Sequence, residues 1–106
     1  MDPYPDHETY KALYLRYHNG RDVGELLDLL RPLENMSVLD LCGGDGCLTL
    51  EALRRGTREA TLVDMAKTMV PEKILDHPQI RICFKSVHDA LIEMRSGSFN
   101  RIACRQ

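Results

Sequence analysis

Apolar and polar residues follow two spacings along the chain, one typical of helices and one typical of buried strands. Near the N-terminus, apolar residues recur every three or four positions, which predicts an amphipathic helix over residues 7–18 and a second helix that ends before Pro32. Four short apolar runs follow, and each of them predicts a strand: MSVLDL, EATLVD, QIRICF and FNRIAC.

Helical patterns separate the four predicted strands. The first covers about residues 47–55, Pro71 interrupts the second, and the third is HDALIEMR. Strands that alternate with helices are typical of a parallel sheet with right-handed crossovers. We therefore expect two N-terminal helices in residues 1–35, followed in residues 36–106 by half of a doubly wound α/β fold.

A glycine-rich turn, CGGDG, follows the first predicted strand. In a parallel sheet, ligands bind at the carboxyl ends of the strands, where the next helix presents free N–H groups. Gly43, Gly44 and Gly46 permit positive φ angles and let a ligand approach the backbone. The turn is therefore a candidate site for a dinucleotide or for another adenosyl cofactor.

Two carboxylates distinguish between these ligands. Asp40 precedes the turn and Asp45 lies inside it, where both would repel a pyrophosphate group. They suit a ligand with positive charge, such as S-adenosylmethionine with its sulfonium and ammonium groups. The dinucleotide pattern G-x-G-x-x-G also fails, since its third glycine position is Thr49. A NAD-dependent oxidoreductase is therefore the disfavoured alternative.

The segment VLDLCGGDG resembles the first motif of class I S-adenosylmethionine-dependent methyltransferases, in which an acidic residue ends the first strand and a glycine-rich turn follows. Asp40, Gly44 and Gly46 match that motif, and Gly43 lies within the turn. Cys42 stands where the family usually has its first glycine. The resemblance implies that these five residues bind the cofactor.

Two later segments resemble further motifs of the same family. In VDMAKTMV, the resemblance implies that Asp64 holds both ribose hydroxyls and that Met65 packs on the adenine ring. In HDALIEMRSGSFNRIACR, it implies that Asp89 accepts a hydrogen bond from the adenine amino group and that the backbone of Ala90 faces the ring. Cys104 would then lie beside the methyl group. Capping of a helix is the alternative role for Asp64 and Asp89.

The resemblance covers residues 36–106 and implies a Rossmann-like, three-layer α/β/α fold with an incomplete parallel sheet of four strands in the order 3-2-1-4. It also implies methyl transfer from S-adenosylmethionine, and we expect a small-molecule acceptor. Arg105 and His18 are the candidates for contact with that acceptor. No catalytic base and no metal site are predicted. The alternative is a non-catalytic cofactor-binding fragment or one subunit of a split enzyme.

The composition excludes some classes of partner. The 106 residues are 43% apolar and 28% charged, with a formal net charge of −2, which gives no electrostatic case for nucleic acid or an anionic membrane. A polar N-terminus and the lack of a long apolar run predict a cytoplasmic protein.

No C-x-x-C pair occurs, so the cysteines are predicted to be buried free thiols, with a zinc or redox site as the alternative. These cysteines are Cys42, Cys47, Cys83 and Cys104.

The fourth predicted strand, FNRIAC, raises the question of a partner. The family that the sequence resembles has seven strands. In its strand order the fourth strand lies beside the first, and a fifth strand covers the outer side of the fourth. With four strands, the outer edge of FNRIAC would be open, and an open edge is a template for association. We expect it to pair with a separate C-terminal half or with a second copy of the chain, as a homodimer.

Overall fold

The computed structural model describes residues 21–104, and the elements are numbered within that range. The α-helices are α1 (Arg21–Leu29), α2 (Cys47–Arg54), α3 (Glu72–Leu75) and α4 (Val87–Glu93), with a 3-10 helix at Lys67–Met69. The strands are β1 (Ser37–Leu41), β2 (Glu59–Val63), β3 (Ile80–Cys83) and β4 (Arg101–Cys104). The helix predicted over residues 7–18 lies outside the described residues, and the division of the chain at residue 35 stays a prediction.

The four strands form one parallel sheet in the order β3-β2-β1-β4. This order confirms the predicted α/β class and the arrangement 3-2-1-4. In the register of the sheet, Leu41 of β1 lies beside Val63 of β2 and beside Cys104 of β4. The carboxyl ends of these three strands are therefore level, and the residues that follow β1 and β2 share one edge of the sheet.

Helices lie on both faces of the sheet, as the three-layer prediction requires. On one face, α1 and α2 pack through a buried cluster that includes Leu27, Leu48 and Val38. On the opposite face, α4 contributes Ala90 to a cluster that includes Leu39. Val38 and Leu39 are consecutive in β1, and their side chains enter different clusters because side chains alternate along a strand.

Pro71 divides the second helical segment, as predicted. The 3-10 helix precedes this proline and α3 follows it, because proline has no N–H group with which to continue a helix. The short α3 is held in place by Ile74, which is fully buried in a cluster with Leu62 of β2. The segment therefore lies against the end of β2 that borders the glycine turn.

The sheet face that carries α4 is covered less completely. Ile102 of β4 is 55% exposed and Leu91 of α4 is 47% exposed. A cavity of about 340 Å³ is lined by both side chains together with Leu39 and Phe99. Among the described strands, β4 pairs with β1 alone, so its outer edge is open. Within residues 21–104, no helix has the length and apolar character needed to cross a membrane.

Candidate functional site

The turn between β1 and α2 is built on left-handed backbone. Cys42 and Gly44 both have a φ of 59°, and Gly46, the N-cap of α2, has a φ of 83°. Cys42 thus adopts the left-handed conformation at the position where the resembling family usually has a glycine. That conformation costs a non-glycine residue roughly 1–2 kcal/mol. The backbone at Cys42 therefore follows the left-handed turn even though this residue is not glycine.

Gly43 is required for a different reason, because a side chain has no room there. A Cβ at this position would lie 2.6 Å from Leu62 Cγ and 2.9 Å from Asp40 Oδ2. At Gly46, a Cβ would lie 3.0 Å from the Ile74 side chain. The turn is therefore packed directly on β2 and α3, and it has no space to move inward.

Asp40 lies in β1 next to the turn and is 1% exposed. Thr49 Oγ1 donates a hydrogen bond to its Oδ2 at 2.8 Å, which joins β1 to the first turns of α2. Asp40 therefore supports the turn from beneath, and a direct contact of its carboxylate with a ligand stays a prediction. The sequence analysis missed Thr49, whose only signal is a polar residue on a helix face where Leu48 and Ala52 are buried.

Asp64 follows β2 directly and connects two segments of backbone. Its Oδ2 accepts a hydrogen bond from the Gly44 N–H at 2.8 Å, and its Oδ1 accepts one from the Ala66 N–H at 2.9 Å. The first bond ties the glycine turn to the end of β2, and the second forms a local turn before the 3-10 helix. Each carboxylate oxygen keeps a further lone pair. The half-exposed Asp64 can therefore accept additional hydrogen bonds, such as those of two hydroxyl groups.

Asp45, the second carboxylate near the turn, is 5% exposed. Its Oδ1 accepts a hydrogen bond from the Cys47 N–H at 3.1 Å, and its Oδ2 accepts one from the Cys47 thiol at 3.1 Å. This carboxylate binds the first N–H group of α2, where unpaired N–H groups would otherwise attract an anion. Asp45 thus acts on the helix itself, and it occupies an N–H group that a phosphate would need.

Three of the four cysteines are exposed, so the prediction that they are buried is wrong. Cys42, Cys47 and Cys104 are exposed and Cys83 is half-buried, and all four are free thiols. The exposed three lie where a strand ends or a helix begins at the carboxyl edge of the sheet, beyond the layers of apolar side chains. An apolar pattern indicates which residues belong to a strand. It does not show that a residue at the end of the strand lies outside the core.

Cys42 follows the end of β1 beside Cys104, the last residue of β4, so the two thiols are neighbours. Partial shielding of the Cys42 sulfur from solvent raises the pKa of that thiol, and the neighbouring Cys104 and Asp64 raise it further. Cys42 is therefore a protonated thiol at neutral pH. The pairing of β4 with β1 places Cys104 beside the glycine turn, and its position beside the methyl group stays a prediction.

Met65 and Asp89 are both exposed, as contact with a ligand requires. Met65 follows β2 and is 58% exposed, which leaves its apolar side chain free to pack on a ring. Asp89 lies in the first turn of α4, whose N-cap is Ser86; Ser86 Oγ accepts a hydrogen bond from the Asp89 N–H at 3.1 Å. The alternative in which Asp89 is the N-cap is therefore wrong, and the sequence analysis missed Ser86. The Ala90 side chain is buried in the core, and adenine contacts by these residues stay predictions.

Five of the predicted residues thus form one continuous group, which we call the carboxyl-edge site. Its members are adjacent in the chain or are joined by a hydrogen bond or by the pairing of β1 with β4, and they are Cys42, Gly43, Gly44, Asp64 and Cys104. The two predicted acceptor-binding residues, His18 and Arg105, lie outside the described residues.

Residues 23–102 match the profile of a protein family described as Conserved hypothetical protein 95. The match covers more than half of the 106 residues and includes every member of the carboxyl-edge site except Cys104. No curated protein matches the chain.

Several solved structures share the fold. A candidate RNA methyltransferase from Pyrococcus horikoshii is 23% identical with a TM-score of 0.68, over 84% of this chain and 46% of that chain. A candidate methyltransferase from Escherichia coli is 28% identical with a TM-score of 0.56, over 67% of this chain and 43% of that chain. The enzyme WbmF from Bordetella bronchiseptica, in complex with NAD+, is 27% identical with a TM-score of 0.55, over 69% of this chain and 23% of that chain. The chain thus spans less than half the length of each of these structures.

Proposed function

Because the chain belongs to the Conserved hypothetical protein 95 family and has the Rossmann-like fold of class I methyltransferases, we propose that it binds S-adenosylmethionine and serves methyl transfer from it. The fold and the family carry the methyltransferase assignment. The cofactor, the acceptor and the activity of this chain are the proposal.

The observation that carries the proposal is the hydrogen bond from the Gly44 N–H to Asp64 Oδ2 at 2.8 Å. It holds a half-exposed carboxylate at the carboxyl ends of β1 and β2, directly beside the glycine turn. In our proposal Asp64 accepts hydrogen bonds from the two ribose hydroxyls with its remaining lone pairs. Met65, the next residue, offers an exposed apolar surface to the adenine ring.

The charges near the turn favour a cationic ligand. Asp40 and Asp64 are both close enough to Cys42 to raise the pKa of its thiol, so two carboxylates lie within reach of the turn. S-adenosylmethionine supplies a positively charged sulfonium whose methyl group is open to attack by a nucleophile. The residues of the carboxyl-edge site would hold and orient it, and alignment of donor and acceptor can provide much of the rate of such a displacement.

NAD is the second candidate, because WbmF shares the fold and its structure contains NAD+. The hydrogen bonds of the turn argue against it. A pyrophosphate binds to free N–H groups at the start of a helix, but here the Gly44 N–H donates to Asp64 and the Cys47 N–H donates to Asp45. Two carboxylates therefore occupy donors that a pyrophosphate would need, and they would also repel its charge.

For the acceptor we propose a small molecule, since the net charge of −2 offers no attraction to a polyanion. RNA is the alternative, and the likeness to the candidate RNA methyltransferase from Pyrococcus horikoshii favours it. A methylation assay with labelled cofactor separates these classes when total RNA and a pool of small metabolites are offered in parallel. Label in the RNA fraction alone would contradict the small-molecule proposal. Cofactor binding without label in any fraction would favour a non-catalytic fragment or a subunit of a split enzyme.

A thermal-shift comparison tests the proposed cofactor class. S-adenosylhomocysteine, the demethylated product, should raise the unfolding midpoint by mass action, and NAD+ at the same concentration should leave it unchanged. A shift with NAD+ and none with S-adenosylhomocysteine would overturn the proposal and support the second candidate.

A further inference from the structure

Two free thiols meet at the carboxyl-edge site. The register of the parallel sheet pairs Leu41 of β1 with Cys104 of β4. Cys42 follows Leu41, so it lies one residue beyond the level of Cys104. Both cysteines are exposed, and the Cys104 thiol is close enough to Cys42 to raise the pKa of its thiol. The left-handed backbone at Cys42, with φ of 59°, redirects its side chain away from the alternation that β1 would otherwise impose.

We propose that Cys42 and Cys104 form a reversible intramolecular disulfide, and that this bond lowers the affinity of the glycine turn for its adenosyl ligand. The first half of the proposal rests on the strand register, which places the two cysteines side by side, and on the exposure of both. The second half rests on the proposed function, because it concerns the cofactor.

The spacing of the strands permits the bond. From the usual distance between neighbouring strands and the rise per residue, the Cα atoms of Cys42 and Cys104 should be about 6 Å apart. Disulfides in proteins span Cα distances of about 4.4–6.8 Å. The other two cysteines are placed less well for Cys42. Cys83 ends β3, which β2 separates from β1, and the Cys47 thiol donates to Asp45.

Formation of the bond should displace the glycine turn. Bonded sulfur atoms lie about 2.05 Å apart, which is closer than two unbonded sulfur atoms can lie, so the turn must move toward β4. The Gly44 N–H would then be drawn away from Asp64 on the opposite side of the turn. Because Gly43 is packed against Leu62 and Asp40, the turn cannot compensate by moving inward. The ribose-binding arrangement proposed for Asp64 would be loosened as a result.

The reaction balances with a low-molecular-weight disulfide, such as oxidised glutathione, as the oxidant. The Cys104 thiolate attacks one sulfur of the oxidant, whose S–S bond breaks and releases one glutathione thiolate. The Cys42 thiol then loses its proton to solvent and attacks the Cys104 sulfur of the mixed disulfide, and the second glutathione thiolate leaves. The protein loses two protons and two electrons, and the oxidant becomes two thiols. Cys104 is the first to react because the raised pKa of Cys42 keeps that thiol protonated.

Peptide mapping tests the bond directly. The protein is equilibrated in an oxidising glutathione buffer, its remaining thiols are alkylated, and it is digested with trypsin. We expect residues 102–105, which contain Cys104, to be linked to residues 22–54, which contain Cys42 and Cys47. The variant Cys47→Ser should keep this link and Cys42→Ser should lose it, while Cys83→Ser serves as the matched control. Recovery of four alkylated cysteines, or of bonds between two chains only, would overturn the proposal.

Calorimetry tests the consequence. Oxidised protein should bind S-adenosylhomocysteine at least about 10-fold more weakly than reduced protein, and dithiothreitol should restore the affinity. Cys42→Ser, whatever its own affinity, should give the same value in both buffers. An unchanged affinity in protein that carries the linked peptide would overturn the regulatory half. If the reduced wild type binds no S-adenosylhomocysteine, the proposed function fails and the regulatory half with it, and peptide mapping still decides whether the disulfide forms.

Discussion

At the scale of single residues, the turn shows that glycine is required for two different physical reasons. Gly46 adopts a φ of 83°, whereas Gly43 is needed because a Cβ would lie 2.6 Å from Leu62 Cγ. Asp64 likewise holds the turn through Gly44 while keeping acceptor capacity for a ligand. The sequence analysis named these positions as candidates, but it could not distinguish packing from conformation, because that difference depends on the neighbouring strand.

Gly43→Ala should destabilise the fold by about 1–3 kcal/mol, since the new methyl group must displace Leu62 or the buried Asp40 carboxylate. Urea unfolding measures the change. Gly24→Ala is the matched control: a Cβ there would meet Arg55 at an ordinary 3.6 Å, and alanine favours a helix by up to about 1 kcal/mol. Equal midpoints for the two variants would contradict the packing role of Gly43.

The raised pKa of Cys42 predicts slow alkylation at neutral pH. Under reducing conditions, iodoacetamide should modify Cys42 more slowly than it modifies glutathione at pH 7, and the difference should shrink as the pH rises above the pKa of an ordinary thiol, about 8.5. Asp64→Asn removes one of the charges that raise the pKa, so it should accelerate the reaction. If mass spectrometry of the digest shows that Cys42 is modified as fast as glutathione, the raised pKa of Cys42 is contradicted.

At the scale of elements, the strands and crossovers follow from the sequence because each strand has its own apolar run and each crossover its own helical pattern, while the strand order is implied by the resemblance to class I methyltransferases. The ends of the elements are less predictable. The start of α4 depends on Ser86 and the start of α2 on Asp45, and both contacts are made by short polar side chains that could equally belong to a loop. The exposure of Cys42 and Cys104 escaped prediction for the same reason, because they lie at the sheet edge.

Thr49→Val should destabilise the junction of β1 and α2. The substitution removes the hydroxyl that donates to the Asp40 carboxylate, which is 1% exposed, and loss of such a partner costs about 1–3 kcal/mol. Thr49→Ser keeps the hydroxyl and should recover most of the free energy of unfolding. If the valine variant unfolds at the urea concentration of the wild type, the hydrogen bond does not support the junction.

At the scale of the whole molecule, the open edge of β4 and the apolar side chains beside it predict association. Ile102 is 55% exposed and borders the cavity lined by Leu91 and Phe99. We predict that the chain forms a dimer or larger species at tens of micromolar, as sedimentation would show. Ile102→Lys should shift it toward monomer, while Leu29→Lys, at a residue that is 82% exposed on α1, should not. A folded wild-type monomer would contradict self-association and favour a separate C-terminal half as the partner.

Direct calorimetric titration with S-adenosylhomocysteine tests the central claim, that the carboxyl-edge site binds an adenosyl cofactor through Asp64. The wild type should bind one equivalent, and Asp64→Asn should bind about 10-fold or more weakly, because the ribose hydroxyls lose a charged acceptor. Asp76→Asn, an exposed aspartate at the end of α3, is the matched control and should bind as the wild type does. Equal affinities for wild type and Asp64→Asn, or no binding by a folded wild type, would contradict the claim.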